Sequence, residues 1–461
     1  VSPVESEDRP TSGRFPWFAV GMGVLLLAAA FLRLETLGSR PLWYDERFTV
    51  SFCREASSLA EVWGTVPGDE WAHPPLHYAI TYLVMRLSQS AAAVRASSVV
   101  AGVGTVLLVG LIGRTLVGAA GGWLAALLMT VSVYHINYSM DARPYALMLF
   151  FLTGQMLALF LYRSRRRLWL LVPFVLCAAG AVYTHHLALA AQLAVAVIAA
   201  ADLARLAFER RRGSPELARA AAFYLAGALA TALLYLPKAW TLLHYLGTGN
   251  LGAGHYLDLS AWLVWQLAAR WTAGDVWVNG VVLVAFAAGV VGIVSRQAAP
   301  ARRERRMEAV SLRRSIAATV LRFDLAYPPA GLLIWLVVPF LPFFLVPFAK
   351  FFDIRFVIAA LPPFLLVTAA GLLELGRWAA RRLTAARHRV WLRVGIPVAL
   401  GLLLVTASLR AYLVFRDTGY RCSEFFAQPE LLSRDEAFCR DHIILNSIYP
   451  DDQRLLRWVA D

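Results

Sequence analysis

The chain has 461 residues, of which 59% are hydrophobic and only 16% charged, and its mean hydropathy is +0.59. That balance excludes an ordinary water-soluble domain and points to an all-α, polytopic membrane protein. A formal charge of +14 would suit a nucleic-acid partner, but the arginines cluster between apolar runs, where the positive-inside rule puts them, so nucleic acid is excluded too.

The first apolar run, Trp17 to Leu37, is too long for a signal-peptide core and has no small-residue cleavage site, so it reads as a retained helix. It opens directly onto "SRPLWYDERFTV" (39–50), with Asp45 and Glu46 adjacent and flanked by Trp43, Tyr44 and Arg47. Charges near hydrocarbon are costly. The pair reads either as the acidic start of a juxtamembrane helix or as a general base, since adjacent carboxylates raise each other's proton affinity toward neutral pH.

In "EWAHPPLHY" (70–78), Pro74 and Pro75 set an extended entry into a helix. His73 stands at the helix mouth, where backbone N–H groups favour an anion such as phosphate; the plainer reading is a helix entry with an incidental histidine. Glu70 and His73 have E-x-x-H spacing, but two ligands are too few to claim a metal. The apolar stretch that follows is too short to cross a bilayer, so it reads as an interfacial helix.

Four basic clusters set the threading: "YRSRRR" (162–167), "FERRRGSPELAR" (208–219), "SRQAAPARRERR" (295–306) and "GRWAARRLTAARHR" (376–389). With all of them cytoplasmic and the N-terminus inside, the parity closes at about eleven spans. Their expected ranges are 17–37, 94–113, 119–136, 144–162, 168–184, 187–206, 219–236, 276–295, 328–348, 354–374 and 391–408. Residues 38–93 and 237–275 become extracytoplasmic loops, and 296–322 a cytoplasmic linker. Residues 1–409 form a transmembrane domain and 410–461 a polar extracytoplasmic tail. Cys422 and Cys439 in that tail have the option of pairing outside the cell, whereas Cys177 lies in a span and Cys53 just after the carboxylates.

This threading gathers the unusual polar motifs on one side. "YSMDARPYAL" (138–147) carries Asp141 and Arg143. These are either a local ion pair or an acid beside a substrate hydroxyl with a forked cation for a phosphate. "YTHH" caps a helical hairpin with His185 and His186, which read first as interfacial histidines. "FAKFFDIRFVIAALPP" holds Lys350, Asp353 and Arg355 at an outer helix end, as snorkelling anchors or as cations for an anionic donor.

Taken in order, "WYDE", "HPPLHY", "YSMDARPYAL", "YTHH" and "IRFVIAALPP" resemble the motifs of bacterial family 39/83 glycosyltransferases. These are polyprenyl-phosphate-dependent GT-C enzymes akin to protein O-mannosyltransferases and aminoarabinose transferases. The resemblance spans about residues 17 to 375 and does not reach the tail. It implies the GT-C fold and a catalytic base in the first extracytoplasmic loop, which falls on Asp45 with Glu46 beside it and Asp141 as a second acid. The donor-phosphate contacts it implies fall on His73 and Arg355, to which the chemistry of the residues adds Arg143 and Lys350. The relatives often carry lysine where this chain has His73, and a neutral imidazole would weaken that contact. Trp43, Tyr44, Glu70, Tyr78, Tyr145, His185 and His186 would line the substrate cavity.

The expected function is transfer of a sugar from a polyprenyl monophosphate carrier to a lipid, glycan or protein hydroxyl, with inversion. The site would lie on the extracytoplasmic side of the bacterial inner membrane. No cofactor is required; a divalent metal is permitted. The alternative is a flippase or transporter of the lipid-linked sugar, which would show ionisable residues deep in spans and broken helices.

Overall fold

A computed structural model describes residues 17–39, 42, 44–64, 74–209, 215–247, 276–305, 329–341, 358–382 and 389–418. Everything with regular structure among them is helical. Eight described helices are long and apolar enough to cross a membrane, and the chain is a multi-pass membrane protein.

Helix α1 (Trp17–Leu34) leads into three short helices, α2 (Tyr44–Glu55), α3 (Leu59–Gly64) and α4 (Leu76–Leu87). None of the three is long enough to span. They pack on one another, and Val50, Cys53, Val62, Tyr78, Tyr82 and Met85 form a small core of their own. The prolines at 74 and 75 set where α4 begins, because Pro tolerates only the first turn of a helix.

Next come α5 (Ala91–Val117), α6 (Ala119–Val131) and α7 (Val133–Ser139). Ser90 caps α5 by accepting from the Ala93 amide at 3.2 Å. Gly118, at φ +97°, makes the abrupt turn into α6 that other residues adopt only with strain. α5 and α6 then lie so close that a Cβ on Gly113 would stand 2.9 Å from the Gly122 Cα.

α8 (Tyr145–Arg165) starts after Pro144 and ends at Arg166, which takes the left-handed conformation at φ 52°. A short 3₁₀ turn leads to α9 (Leu171–Thr184), followed by α10 (Ala188–Glu209) and α11 (Pro215–Gly247). The described remainder is α12 (Val276–Arg305), α13 (Ala330–Val337), α14 (Leu361–Arg382) and α15 (Arg389–Thr418). α8 and α14 are the most enclosed spans, whereas α1, α11 and α15 leave most of their apolar surface outside the protein, as lipid-facing helices do.

Several ends differ from the sequence expectation. The third span is not continuous: α6 and α7 meet at a 64° bend. Ser132 breaks the ladder there by adopting extended backbone, and its Oγ accepts from the His135 amide at 3.4 Å. The expected exit before Pro237 is overrun by α11, which continues to Gly247. The proline costs one backbone bond, and nearby the Leu234 carbonyl accepts the Tyr183 hydroxyl at 2.6 Å. α12 and α15 run on to Arg305 and Thr418, so the 296–322 linker begins as helix and the 409/410 boundary falls inside α15. Hydropathy marks the apolar run, but Arg, Glu and Ala favour helix beyond it, and α12 continues past Pro300 at the loss of one backbone bond.

Among the described residues, eight of the expected eleven spans stand as single long apolar helices. The bent α6–α7 pair makes a ninth by length and composition, and Leu168–Thr184 and Ala330–Phe340 are shorter apolar helices. Residues 248–275, 306–328 and 419–461, with Cys422 and Cys439, lie outside the described residues.

Without water between helices, close backbone approach of small residues is a main source of helix association in a membrane. α12 and α14 meet this way: a Cβ on Gly371 would collide with the Ala285 carbonyl, and one on Gly289 with the Val367 carbonyl. Gly371→Val should therefore destabilise the detergent-solubilised protein by about 1–3 kcal/mol or more, the usual penalty of overpacking. A thermal melt followed by size-exclusion chromatography would read this as a lower midpoint; an unchanged midpoint would contradict the packing.

Candidate active site

The first turn of α2 carries Asp45 and Glu46, and the Glu46 side chain is 1% exposed. Its carboxylate is fully engaged. Arg95, near the start of α5, donates Nε to Oε1 at 2.7 Å and Nη2 to Oε2 at 2.6 Å. The Ala142 amide donates to Oε1 at 2.7 Å. The third Arg95 nitrogen, Nη1, reaches the Leu37 carbonyl at 2.8 Å. A forked guanidinium–carboxylate pair of this geometry is strong and directional. It joins the end of α1, the start of α2, the start of α5 and the turn between α7 and α8.

That turn is Met140–Asp141–Ala142–Arg143, with every residue buried. Pro144 follows at the start of α8. The Glu46 bond to Ala142 sits between the two functional candidates, so it sets both Asp141 and Arg143 beside the head of α2. Arg143 lies under α2 and α5: its Nη1 is 3.4 Å from the Thr49 Oγ1, and its carbonyl accepts from the Ser98 hydroxyl at 3.4 Å.

Asp45 and Tyr44 lie on the helical backbone of α2, and their side chains are outside the described part, as are Trp43, Glu70, His73, Lys350, Asp353 and Arg355 altogether.

Behind the turn runs a ladder of rings. Tyr134 meets Tyr138 at 4.9 Å, Tyr138 meets Tyr145 at 5.4 Å, and Tyr145 meets His185 at 5.4 Å. His185 accepts the Leu187 amide at 3.0 Å through Nδ1, fixing its ring at the start of α10. His186 points elsewhere and shares a 2.8 Å hydrogen bond with the Tyr235 hydroxyl of α11. Of the two histidines, His185 belongs to the neighbourhood of the turn. Tyr78, expected in the cavity wall, is 1% exposed and packs edge-on against Phe52 in the α2–α4 core.

Sequence reading passed over Arg95 and His77. Arg95 is a lone cation at the head of an apolar run, and that was its only signal. His77, in the first turn of α4, is wholly buried beside the Ala142 carbonyl and close to Arg143, and neither ring nitrogen closes a hydrogen bond of good geometry. Burial, and to a lesser degree the Arg143 charge, holds its imidazole down to about 4 from the ordinary 6.5. Burial also pushes the Cys53 thiol up to about 12, which makes it inert packing near neutral pH. Among the described residues no three His, Cys, Asp or Glu side chains gather to hold a metal ion.

The dolichyl-phosphate-mannose-protein mannosyltransferase family model matches residues 72–240, somewhat over a third of the chain. That stretch contains α4, the Asp141–Arg143 turn and the His185–His186 hairpin, but not the carboxylates of α2. Comparison with curated protein sequences finds no match. Among solved structures, ArnT from Cupriavidus metallidurans bound to undecaprenyl phosphate superposes with a TM-score of 0.50 at 12% identity, over 90% of this chain and 78% of its own. The apo oligosaccharyltransferase of Archaeoglobus fulgidus gives a TM-score of 0.51 at 13% identity, over 95% of this chain and 60% of its own. The chain has the GT-C fold.

Two outcomes follow from the geometry. Glu46→Ala leaves the Arg95 guanidinium buried without its counter-charge and should cost about 3–5 kcal/mol of stability. The double change Glu46→Leu/Arg95→Met should melt much closer to wild type. A double variant as unstable as the single one would mean that the pair does not act as a unit. His77 gives a pH dependence. Its folded pKa lies below its unfolded value, so its contribution is fully present above about pH 6.5 and is lost as pH falls toward 4. His77→Leu should flatten the acid side of the melting-midpoint profile in that window; an unaltered acid limb would contradict the assignment.

Proposed function

We propose that this protein is an integral membrane glycosyltransferase. It moves a sugar from a polyprenyl monophosphate carrier to a lipid, glycan or protein hydroxyl on the extracytoplasmic side of a bacterial inner membrane. The observation that carries the reading is the Glu46 tether, which draws the acid and the cation of the Asp141–Arg143 turn to the head of the helix whose first turn carries Asp45. The reading is supported by the match over residues 72–240 to enzymes that use dolichyl-phosphate mannose, and by the shared fold with ArnT, whose structure holds undecaprenyl phosphate.

In this mechanism Asp45 takes the acceptor proton as the hydroxyl oxygen attacks the anomeric carbon. The bond from that carbon to the phosphate oxygen breaks on the opposite face, with inversion, and the polyprenyl phosphate departs. Asp141 orients a hydroxyl of the acceptor or sugar. Arg143, His73, Lys350 and Arg355 balance the charge of the leaving phosphate, the electrostatic help on which such transfers chiefly depend. Trp43, Tyr44, Glu70, Tyr145 and His185 shape the sugar site. Glu46 is assigned to positioning, because its oxygens are already taken by Arg95 and Ala142. A lipid monophosphate needs less neutralisation than a diphosphate, so a divalent metal is an optional aid and EDTA should leave turnover largely intact.

The transporter reading also has an observation behind it: a broken helix pair beside a buried arginine, Arg33. Proteoliposomes supplied with a panel of polyprenyl-phosphate sugars separate the two. Asp45→Asn should lower transfer by about 10²–10⁴-fold, the usual contribution of a general base, without lowering the melting midpoint. Equal turnover would move the base to Asp141. Carrier movement between leaflets with no transfer from any donor would favour transport.

A further inference from the structure

Arg33 is the deepest charge in the described chain that the proposed mechanism leaves unused. It lies in the last turn of α1, wholly buried, and among the described residues no carboxylate partners it. Its Nη1 donates to the Ala29 carbonyl at 2.9 Å and reaches the Thr130 carbonyl at 3.4 Å. Its Nη2 is 2.7 Å from His135 Nδ1. A guanidinium only donates, so His135 accepts through Nδ1 and its ring is neutral, with the proton on Nε2. A buried cation without an anion is costly, and in a membrane such residues turn inward onto backbone carbonyls and mark function.

The Ala29 carbonyl is one turn back in α1 itself, whereas the Thr130 carbonyl belongs to the end of another helix. Thr130 is in the last turn of α6, and the ring of His135 lies against the carbonyl of Met129 in the same turn. A helix that stops inside a bundle leaves up to four carbonyls without partners and a negative dipole end. A cation is the group that answers both. On the far side of the 64° bend, His135 belongs to α7. Its carbonyl accepts from the Ser139 hydroxyl at 2.6 Å. Ser139 and Arg33 both press on Gly102 of α5: a Cβ there would collide with the serine side chain and stand 3.3 Å from Arg33 Nε. Directly after Ser139 comes the Met140–Arg143 turn.

We infer that the Arg33–His135 pair is a positioning device for the catalytic turn. It caps the broken end of α6, holds α7 at its angle, and so sets where Asp141 and Arg143 meet α2. The pair touches no substrate. Its place in catalysis rests on the glycosyltransferase reading; its mechanical role does not.

The test compares full-length wild type with Arg33→Met, Arg33→Lys and His135→Phe, using peptide-resolved hydrogen exchange, melting midpoint and donor kinetics. Arg33→Met and His135→Phe should speed exchange in peptides covering 131–145 by at least about tenfold and leave peptides of α9 to α11 unchanged. kcat should fall by up to about a hundredfold, as a misplacement near 1 Å does, with the donor KM nearly constant. Arg33→Lys, which keeps the charge and loses the fork, should recover part of both. Wild-type exchange in 131–145 overturns the inference. So does acceleration spread evenly through the molecule with a lowered midpoint, since that is general destabilisation. If the wild type transfers no sugar at all, the proposed function fails, and the exchange data still decide whether the pair holds the turn.

Discussion

A single carboxylate organises the site end of this molecule. Glu46 accepts three hydrogen bonds in a place with almost no solvent, two from Arg95 and one from the Ala142 amide. Burying such a pair is expensive, and hydrophobic packing of equal volume often does as well for stability. What packing cannot do is fix direction. The forked guanidinium and the backbone amide each demand a particular approach, so Glu46 sets α2, α5 and the 140–143 turn in one register. The same bonds occupy both Glu46 oxygens.

Around this knot the molecule uses two kinds of support. The α2–α4 layer has an apolar core of its own, into which the Cys53 thiol and the Tyr78 ring are packed. On the other side, the rings of Tyr134, Tyr138, Tyr145 and His185 step from α7 to the start of α10. Further out, Trp63 stacks on Tyr183 at 5.7 Å, and Lys238 donates to the Trp63 carbonyl at 2.6 Å. These contacts tie α3 to α9 and α11. Helices tied to one another in this way therefore present the polar turn.

The fold is shared with ArnT and with an oligosaccharyltransferase at 12–13% identity. Many sequences satisfy one arrangement of apolar helices, since any lipid-compatible surface with small residues at the crossings will pack. Function resides in a few polar groups grafted onto that frame. In this chain the buried polar groups Glu46, Arg95, Asp141 and Arg143 gather where the short helices of residues 44–87 meet the turn between α7 and α8.

The sequence by itself determined the membrane class, the positions of most spans, the short helices after α1, and the polar turn at 138–147 as a place of interest. Those features are local. An apolar run, a proline at 75 or 144, a glycine at 118 and an arginine cluster each act on their own few residues. Helix ends were legible only approximately, because α11, α12 and α15 continue past the hydrophobic signal into residues that still favour helix. Tertiary structure decided the rest. Glu46 finds Arg95 across 49 positions and Ala142 across 96, and Arg33 finds His135 across 102. No periodicity or spacing encodes such a partner. That Glu46 is held by Arg95, and that Arg33 reaches the end of a broken helix, depends on how separate spans come to lie side by side.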